Sequence, residues 1–351
     1  VTQRYDADAL VDFGTALFAA AGMPDDRATV VARLLVDADL MGHDTHGLHL
    51  APGYLGALDN GGMPKDGEPD VVADRGAAVT WDGGYLSGLW LVHRAIALAC
   101  DRVAQYGTVS VAVRRSHHIG CLAAHLPQAT ERGCMVTLMS SDPSNDGVAP
   151  YGSYQPLYTP DPIAVGYPTD GDPVLIDISA STTTLGLTHR LRASGGRLDG
   201  PWLIDNQGNA SDDPAVLATD PPGAILPLGG LDRGHKGFGL GLWVEALTNG
   251  LGGYGRAERP TTWGASVFVQ VVDPTAFGGL DAFTRETGWF AAACRGAAVA
   301  PGKPPVRLPG DGALARKRAA LADGVVLHPT IMPALQDWAT KLGVAPPSPI
   351  A

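Results

Sequence analysis

The chain has 351 residues, 45% of them apolar, enough for one large core or two to three modest ones. Its formal net charge is -11 with no long Lys/Arg run, which argues against nucleic-acid and anionic-membrane partners. An anionic cofactor stays compatible, because backbone dipoles bind anions locally; glycine (46) and proline (28) are abundant but not periodic, which excludes collagen-like sequence and predicts many turns.

Leu10, Phe13, Leu17 and Phe18 form a helical stripe that breaks at Gly22–Pro24. Val30, Val31, Leu34, Leu35 and Ala38 carry a second stripe to Leu40, closed by Gly42, and HDTHGLHL (43–50) follows. GALDNGGMPKDGEP reads as a turn-rich loop and VVADRGAAVTWDG as strand and hairpin. Residues 88–106 predict an amphipathic helix, VSVAV (109–113) a short buried strand, and LAAHLPQATERG a helix with a defect at Pro127. MVTLMS (135–140), IAVGYP, VLIDI and SVFVQVV (266–272) are strands; residues 185–233 read as mostly irregular. GHKGFGLGLWVEALTNGL is a glycine-rich loop running into a helix, and the tail after 311 is helical in two pieces. No G-x-G-x-x-G follows a strand, so the ordinary doubly wound dinucleotide fold is not supported.

His43, His46 and His49 recur at every third residue. Zinc needs three or four convergent ligands, Gly47 interrupts the helix that would align these, and no H-E-x-x-H or C-x-x-C accompanies them. No metal is expected. Thr45–His46 reads instead as a hydroxyl–imidazole pair able to orient a ring or pass a proton, against the plain alternative of histidines ending a helix. Ser116–His117–His118 follows a buried strand, a position where functional groups stand on a rigid support. Asp142 either binds a ribose hydroxyl, orients a histidine, or forms an Asx turn before Pro143. Lys236, among glycines ahead of a helix, either holds a phosphate or is a solvated lysine in a tight turn. The glycine turn at 308–313 offers the same pair of readings.

Five stretches, in order along nearly the whole chain, resemble one family. DLMGHDTHGLHL resembles D-L-x-G-x-x-S-H-G-x-x-R, RRSHHIGCLAAHL resembles N-S-x-H-F-G, and VAPYGSYQPLYTPDPIA resembles V-A-P-x-G-G-x-x-x-x-x-G-T-N-P-x-A. LPLGGLDRGHKGFGLGLWVEAL resembles L-P-L-G-G-x-K-G-Y-G-L-x-x-x-V-E-x-L, and RLPGDGALARKRA resembles a late L-P-G-E-P-E block. The family is the type 2 malate/L-lactate dehydrogenases, which also includes ureidoglycolate, sulfolactate and delta-1-piperideine-2-carboxylate oxidoreductases. The resemblance implies an α/β fold with a non-Rossmann nicotinamide-binding domain and discontinuous domains, NADP or NAD as cofactor, and a homodimer acting on a small molecule. The domains expected are an N-terminal helical segment (1–75), a substrate-side segment (76–125), a cofactor-binding domain (126–275) and a C-terminal helical segment (276–351) packing back on the first.

Carried over by position, Thr45 and His46 match the Ser–His pair and His118 the histidine of the second block, the proton donor or acceptor at the substrate. Asp177, Ser179, Ser181, Thr182 and Thr183 resemble the cofactor-contacting D-x-A-T-S stretch, with Asp142, Lys236 and Pro309–Gly310–Asp311 as further cofactor-side elements. His189 and Arg190 follow that stretch and either meet a 2'-phosphate, which would favour NADPH, or are solvated; the family includes users of both cofactors.

The departures lie at the substrate. Leu50 stands where the family has the arginine that grips a carboxylate by two parallel bonds, and a carboxylate facing leucine loses its charge partner. Leu185, Gly186 and Leu187 stand where some members place an aspartate or a lysine, and the T-N-P block reads Thr159–Pro160–Asp161–Pro162, so the family asparagine is also changed. The expected enzyme therefore reduces a C=N or C=O bond of a substrate without the usual carboxylate anchor, with His49, Leu50, Arg115 and His117 around it. One alternative keeps ordinary 2-hydroxy/2-oxo acid chemistry with a relocated charge from His49, Arg114 or Arg115; another is a non-catalytic cofactor-binding protein. Isolated cysteines (100, 121, 134, 294), no signal-peptide pattern and no apolar run of about 20 residues point to the cytoplasm.

Overall fold

In the computed structural model, which describes residues 3–350, the first apolar stripe becomes α1 (Ala7–Ala20) and the second α2 (Asp25–Met41). Asp6 caps α1 by accepting the Ala9 N–H at 2.9 Å, and Leu10, Phe13, Leu17 and Phe18 are buried against α2. Gly42 ends α2 in the left-handed region (φ 85°), as the glycine stop predicts. The Met41 carbonyl left open there accepts Arg316 Nε at 3.0 Å, so a helix from the chain's end fixes the point where HDTHGLHL begins.

After α3 (Ala51–Asn60), the hairpin β1 (Asp70–Asp74) and β2 (Ala78–Asp82) leads into α4 (Gly88–Tyr106) and β3 (Thr108–Ser116). The stretch with Pro127 splits into a 3-10 turn (Leu122–His125) and the single turn α5 (Pro127–Thr130), with proline at a helix start where its missing N–H costs nothing. β4 (Met135–Ser141), β5 (Pro162–Tyr167) and β6 (Val174–Ser179) follow.

Residues 185–233, read from sequence as mostly irregular, contain α6 (Leu185–Ser194), a small sheet of β7 (Leu203–Ile204), β8 (Ala210–Ser211) and β9 (Ala224–Ile225), and the turn α7 (Gly230–Arg233). Two-residue strands carry no alternation, and α6 has one fully buried residue, Thr188, so neither period was visible. The chain continues through α8 (His235–Glu245), β10 (Ala265–Val272), α9 (Leu280–Arg295), α10 (Asp311–Asp323) and α11 (Ile331–Leu342).

The seven-stranded sheet runs β1-β2-β3-β10-β4-β5-β6, with β2 and β3 parallel and every other pair antiparallel. β10 thus lies between β3 and β4, pairing Val269 with Val111 on one side and Leu138 on the other. Alternation sets the layers. Val267, Val269 and Val271 face the main core with α4, whereas Phe268 joins Met139, Ile163 and Val244 under α8. Among the described residues, no helix is long and apolar enough to cross a membrane.

Candidate active site

The site grows from the end of α2 and the end of β3. Beyond Gly42, the His43 N–H donates to Ala38 O and the His46 N–H to His43 O, both at 2.8 Å, curling 43–47 into a turn. Asp39 props it from beneath, accepting the Leu48 N–H at 2.8 Å. A Cβ on Gly47 would stand 2.3 Å from Asp39 Oδ1, so the close approach of turn and carboxylate requires glycine there. Burial raises the Asp39 pKa to about 7, and its Oδ1 has no partner.

Thr45 Oγ1 lies 2.8 Å from His46 Nδ1, and the His46 and His118 rings stack with centroids 6.1 Å apart. The turn after β3 brings His118 there. Its Nδ1 lies 2.6 Å from the Tyr54 hydroxyl and receives the Gly120 N–H at 3.2 Å. A backbone N–H can only donate, so Nδ1 is an acceptor, Tyr54 donates to it, and the neutral ring carries its proton on Nε2. Burial pushes the Tyr54 pKa up, so this hydroxyl keeps its proton.

Burial chiefly, then His46 and His117, lowers the His118 pKa to about 3. Burial, then His43, His49 and Arg190, lowers that of His46 to about 4. Both rings are therefore neutral near pH 7, and His118 presents its Nε2–H as a donor toward a substrate oxygen or nitrogen. Trp263 closes one side, its ring 5.3 Å from His118, 4.7 Å from His117 and 5.7 Å from Tyr54.

Sequence reasoning missed Tyr54, Trp263 and the prop Asp39 as site residues. Tyr54 lies in α3, outside any recognised block. Trp263 precedes β10 where His118 follows β3, and the two meet because Ala265 pairs with Ser116. No local signal reports a pairing so distant along the chain.

Other expected residues are distributed unevenly. His117 is buried with Nδ1 unpartnered and lines a groove of about 400 Å³ with Gly53, Gly56, Thr262 and Trp263. Leu50 packs on the main core, and His49 is exposed beside it. Arg115 binds Asp82 through Nε and Nη2, both at 2.7 Å, and Arg114 binds the same buried carboxylate at 2.9 Å, so both guanidinium groups are committed. His43 does not join His46 and His49 as a ligand set; among the described residues it groups with Cys121 and Asp177, ligand atoms within 4.8 Å of one another. Asp177 accepts the Ala123 N–H at 2.9 Å.

On the expected cofactor side, Asp142 forms the Asx turn: its carboxylate accepts the Ser144 N–H, the Ser144 hydroxyl and Asn145 Nδ2. Residues 179–183 and the start of α8 come together. The Leu228 N–H donates to Ala180 O at 2.8 Å, and a Cβ on Gly237 would stand 2.7 Å from that oxygen. Ser179 Oγ donates to Ser181 O, Ser181 Oγ to Thr183 O, and Thr182 Oγ1 to Trp202 O and Leu226 O. Thr183 Oγ1 is buried without a partner, and Lys236 is exposed in the first turn of α8. An orphaned hydroxyl and a lysine at a helix start form a donor set that fits ribose and phosphate oxygens. Pro309 and Gly310 dock α10 on β6, with the Leu175 N–H donating to Pro309 O at 3.1 Å. Arg295 and the Leu308 N–H hold the Asp311 pKa low at that helix start. His189 is exposed on α6, and Arg190 pairs with Asp44 at 3.2 Å.

Known proteins share this architecture. An L-lactate dehydrogenase from Cupriavidus necator is 30% identical over 340 residues, covering 95% of this chain and 96% of its own. The crystal structure of delta1-piperideine-2-carboxylate reductase from Pseudomonas syringae superposes with a TM-score of 0.83 at 27% identity, covering 96% of this chain and 100% of that one. Malate dehydrogenase from Entamoeba histolytica has the same fold, with a TM-score of 0.92 over 98% of this chain and 99% of its own, at 21% identity. The malate/L-lactate dehydrogenase family matches residues 5–336. The chain belongs to the malate/L-lactate dehydrogenase family, the α/β, NAD(P)-dependent oxidoreductases that the sequence blocks resemble.

Proposed function

We propose that the chain reduces a C=O or C=N bond, and oxidises the corresponding alcohol or amine in reverse, with His118 as the proton-transferring group. The observation that carries this reading is the hydrogen bonding of His118: with Nδ1 taken by Tyr54 and Gly120, Nε2 is the nitrogen left to meet a substrate oxygen or nitrogen. The nicotinamide, when bound, supplies or takes the hydride. His118 holds the proton at Nε2; Thr45–His46 forms the second wall of the site; Trp263 and Tyr54 keep water from the far side of the ring. The acceptor is one that needs no arginine at position 50, because Leu50 packs into the core.

Lys236, Thr183 and the exposed His189 support a phosphate-rich cofactor, with NADPH preferred. Exposed Leu242 and Trp243 on α8 and Trp289 and Phe290 on α9 support a homodimer. The test is His118→Ala assayed with carbonyl and imine acceptors alongside calorimetric binding of NADPH and NADH. Turnover should fall by roughly 100-fold or more with cofactor affinity intact; unchanged turnover rejects the role of His118. Tighter binding of NADH rejects the cofactor preference.

The ordinary 2-oxo acid reading requires a cation other than Arg115, whose guanidinium is held by Asp82. Arg190, on α6, is a cation beside the His46 turn whose partner Asp44 is solvated.

A further inference from the structure

We infer that Arg190 is the specificity-determining residue of this site, reading an anionic group of the substrate, a carboxylate or its equivalent, from the α6 side. The inference rests on the proposed oxidoreductase reading and adds to it the charge class of the substrate.

α6 begins at Leu185 behind the cap Thr184, and its first turn lies directly on the Thr45–His46 pair. A Cβ built on Gly186 would stand 3.9 Å from Thr45 Cβ and 4.0 Å from His46 Cε1, so no side chain separates that turn from the imidazole. Arg190 lies four residues on, one turn further along the same helix face. Its guanidinium reaches Asp44, two residues before His46, through three contacts of 3.2–3.3 Å. Arg190 therefore stands over the turn that carries His46, and its positive charge adds to the effect of burial, the larger cause, in lowering the pKa of both His46 and His49.

The Asp44 pairing leaves Arg190 exchangeable. Charge-assisted N–H···O bonds close to about 2.7–2.9 Å when well formed. Arg115 reaches that distance on buried Asp82, at 2.7 Å. Arg190 and Asp44 stay longer, with side chains 30% and 46% exposed, and such ion pairs contribute little. A substrate carboxylate entering beside His46 meets a fork already oriented, and gains two parallel bonds by displacing a loosely held, solvated aspartate.

Other basic residues are less well placed. Leu50 faces the core, Leu185 packs on the cluster of Val148 and Leu203, and Arg114 and Arg115 are bound to Asp82. Lys236 belongs to the α8 start beside Ala180 and Leu228. The guanidinium of Arg190 thus offers the charge that position 50 lacks, on the opposite element.

The experiment compares a panel of 2-oxo acids with their methyl esters, using full-length wild type, Arg190→Met, Arg190→Lys and Asp44→Asn, with folding of each checked by circular dichroism. Wild type should prefer acid to ester in kcat/KM. Arg190→Met should lower kcat/KM for the acids by about 30-fold, mostly through KM, with the esters and the calorimetric Kd of NADPH unchanged. Arg190→Lys should recover part of the loss, and Asp44→Asn, which frees the guanidinium, should lower KM for the acids. Equal acid-to-ester ratios in wild type and Arg190→Met overturn the inference. So does a loss of NADPH affinity in Arg190→Met with the ratio kept, since the arginine then reads the cofactor's 2'-phosphate. Failure of the oxidoreductase reading looks different: wild type oxidises neither reduced nicotinamide with any acid or ester, and the inference falls with it.

Discussion

Tyr54→Phe isolates one hydrogen bond at the centre of the site. The substitution keeps the ring that packs among His117, His118 and Trp263 and removes only the hydroxyl, 2.6 Å from His118 Nδ1. The acceptor is not orphaned, because the Gly120 N–H still reaches Nδ1 at 3.2 Å. The loss is therefore that of one neutral hydrogen bond, about 1 to 1.5 kcal/mol, rather than the larger cost of stranding a buried polar atom. If that energy is spent holding the ring and its Nε2 proton in register, kcat should fall roughly 5- to 12-fold in both directions. Cofactor affinity should not change. The assay is steady-state turnover with calorimetric binding, repeated in the His118→Ala background. There the second substitution should have almost no further effect, as expected for residues acting as one unit. A kcat within twofold of wild type, or the same fractional loss with His118 already absent, would refute the positioning role.

For reduction, kcat/KM should stay level from about pH 8 to pH 6 and change only toward the His118 pKa of about 3, because the ring is neutral with its proton on Nε2 throughout that range; an inflection near the ordinary histidine value of about 6.5 would count against His118. Gly47→Ala should cost about 2–4 kcal/mol in denaturant melts, since its Cβ would meet Asp39 Oδ1 at 2.3 Å; a loss under about 0.5 kcal/mol would mean the turn moves freely. Asp39 has a folded pKa of about 7, raised from 3.8, so its contribution is present at acid pH and disappears as pH rises to about 7. Relative to Asp39→Asn, wild type should lose up to about 1.4 kcal/mol per pH unit between pH 5 and 7 and little more above it; parallel stability curves would show that Asp39 is ionised in the folded state.

The sequence was most legible where a period or a stop is local. The stripes of α1 and α2, the Gly42 stop, the amphipathic α4 and the valine-rich strands stand close to where residue patterns put them. The Thr45–His46 and His118 blocks were visible as motifs, but their meeting depends on α2, α3 and β3 converging, which no spacing reports. Arg190 is the instructive case. It follows the D-x-A-T-S-like stretch, and its pairing with Asp44, 146 residues away in sequence, comes only from the way α6 packs in the fold. The small sheet at 203–225 was invisible because two-residue strands, stabilised by Trp202 and Leu226 around Thr182, carry no alternation to read.

The placement of β10 also governs the order in which the molecule can be made. Without residues 265–272 the strand order leaves two separate three-stranded sets, β1-β2-β3 and β4-β5-β6, with nothing to join them. Each ends in an unpaired edge rich in Val109, Val111 and Val113 or Val136 and Leu138, the kind of edge that invites pairing with another nascent chain. Joining them requires contacts more than a hundred residues apart in sequence, which makes closure slow relative to helix formation. Trp263 arrives on the same segment, so the strand that seals the sheet also brings the last aromatic wall to His118, and a chain with unjoined halves has no finished site.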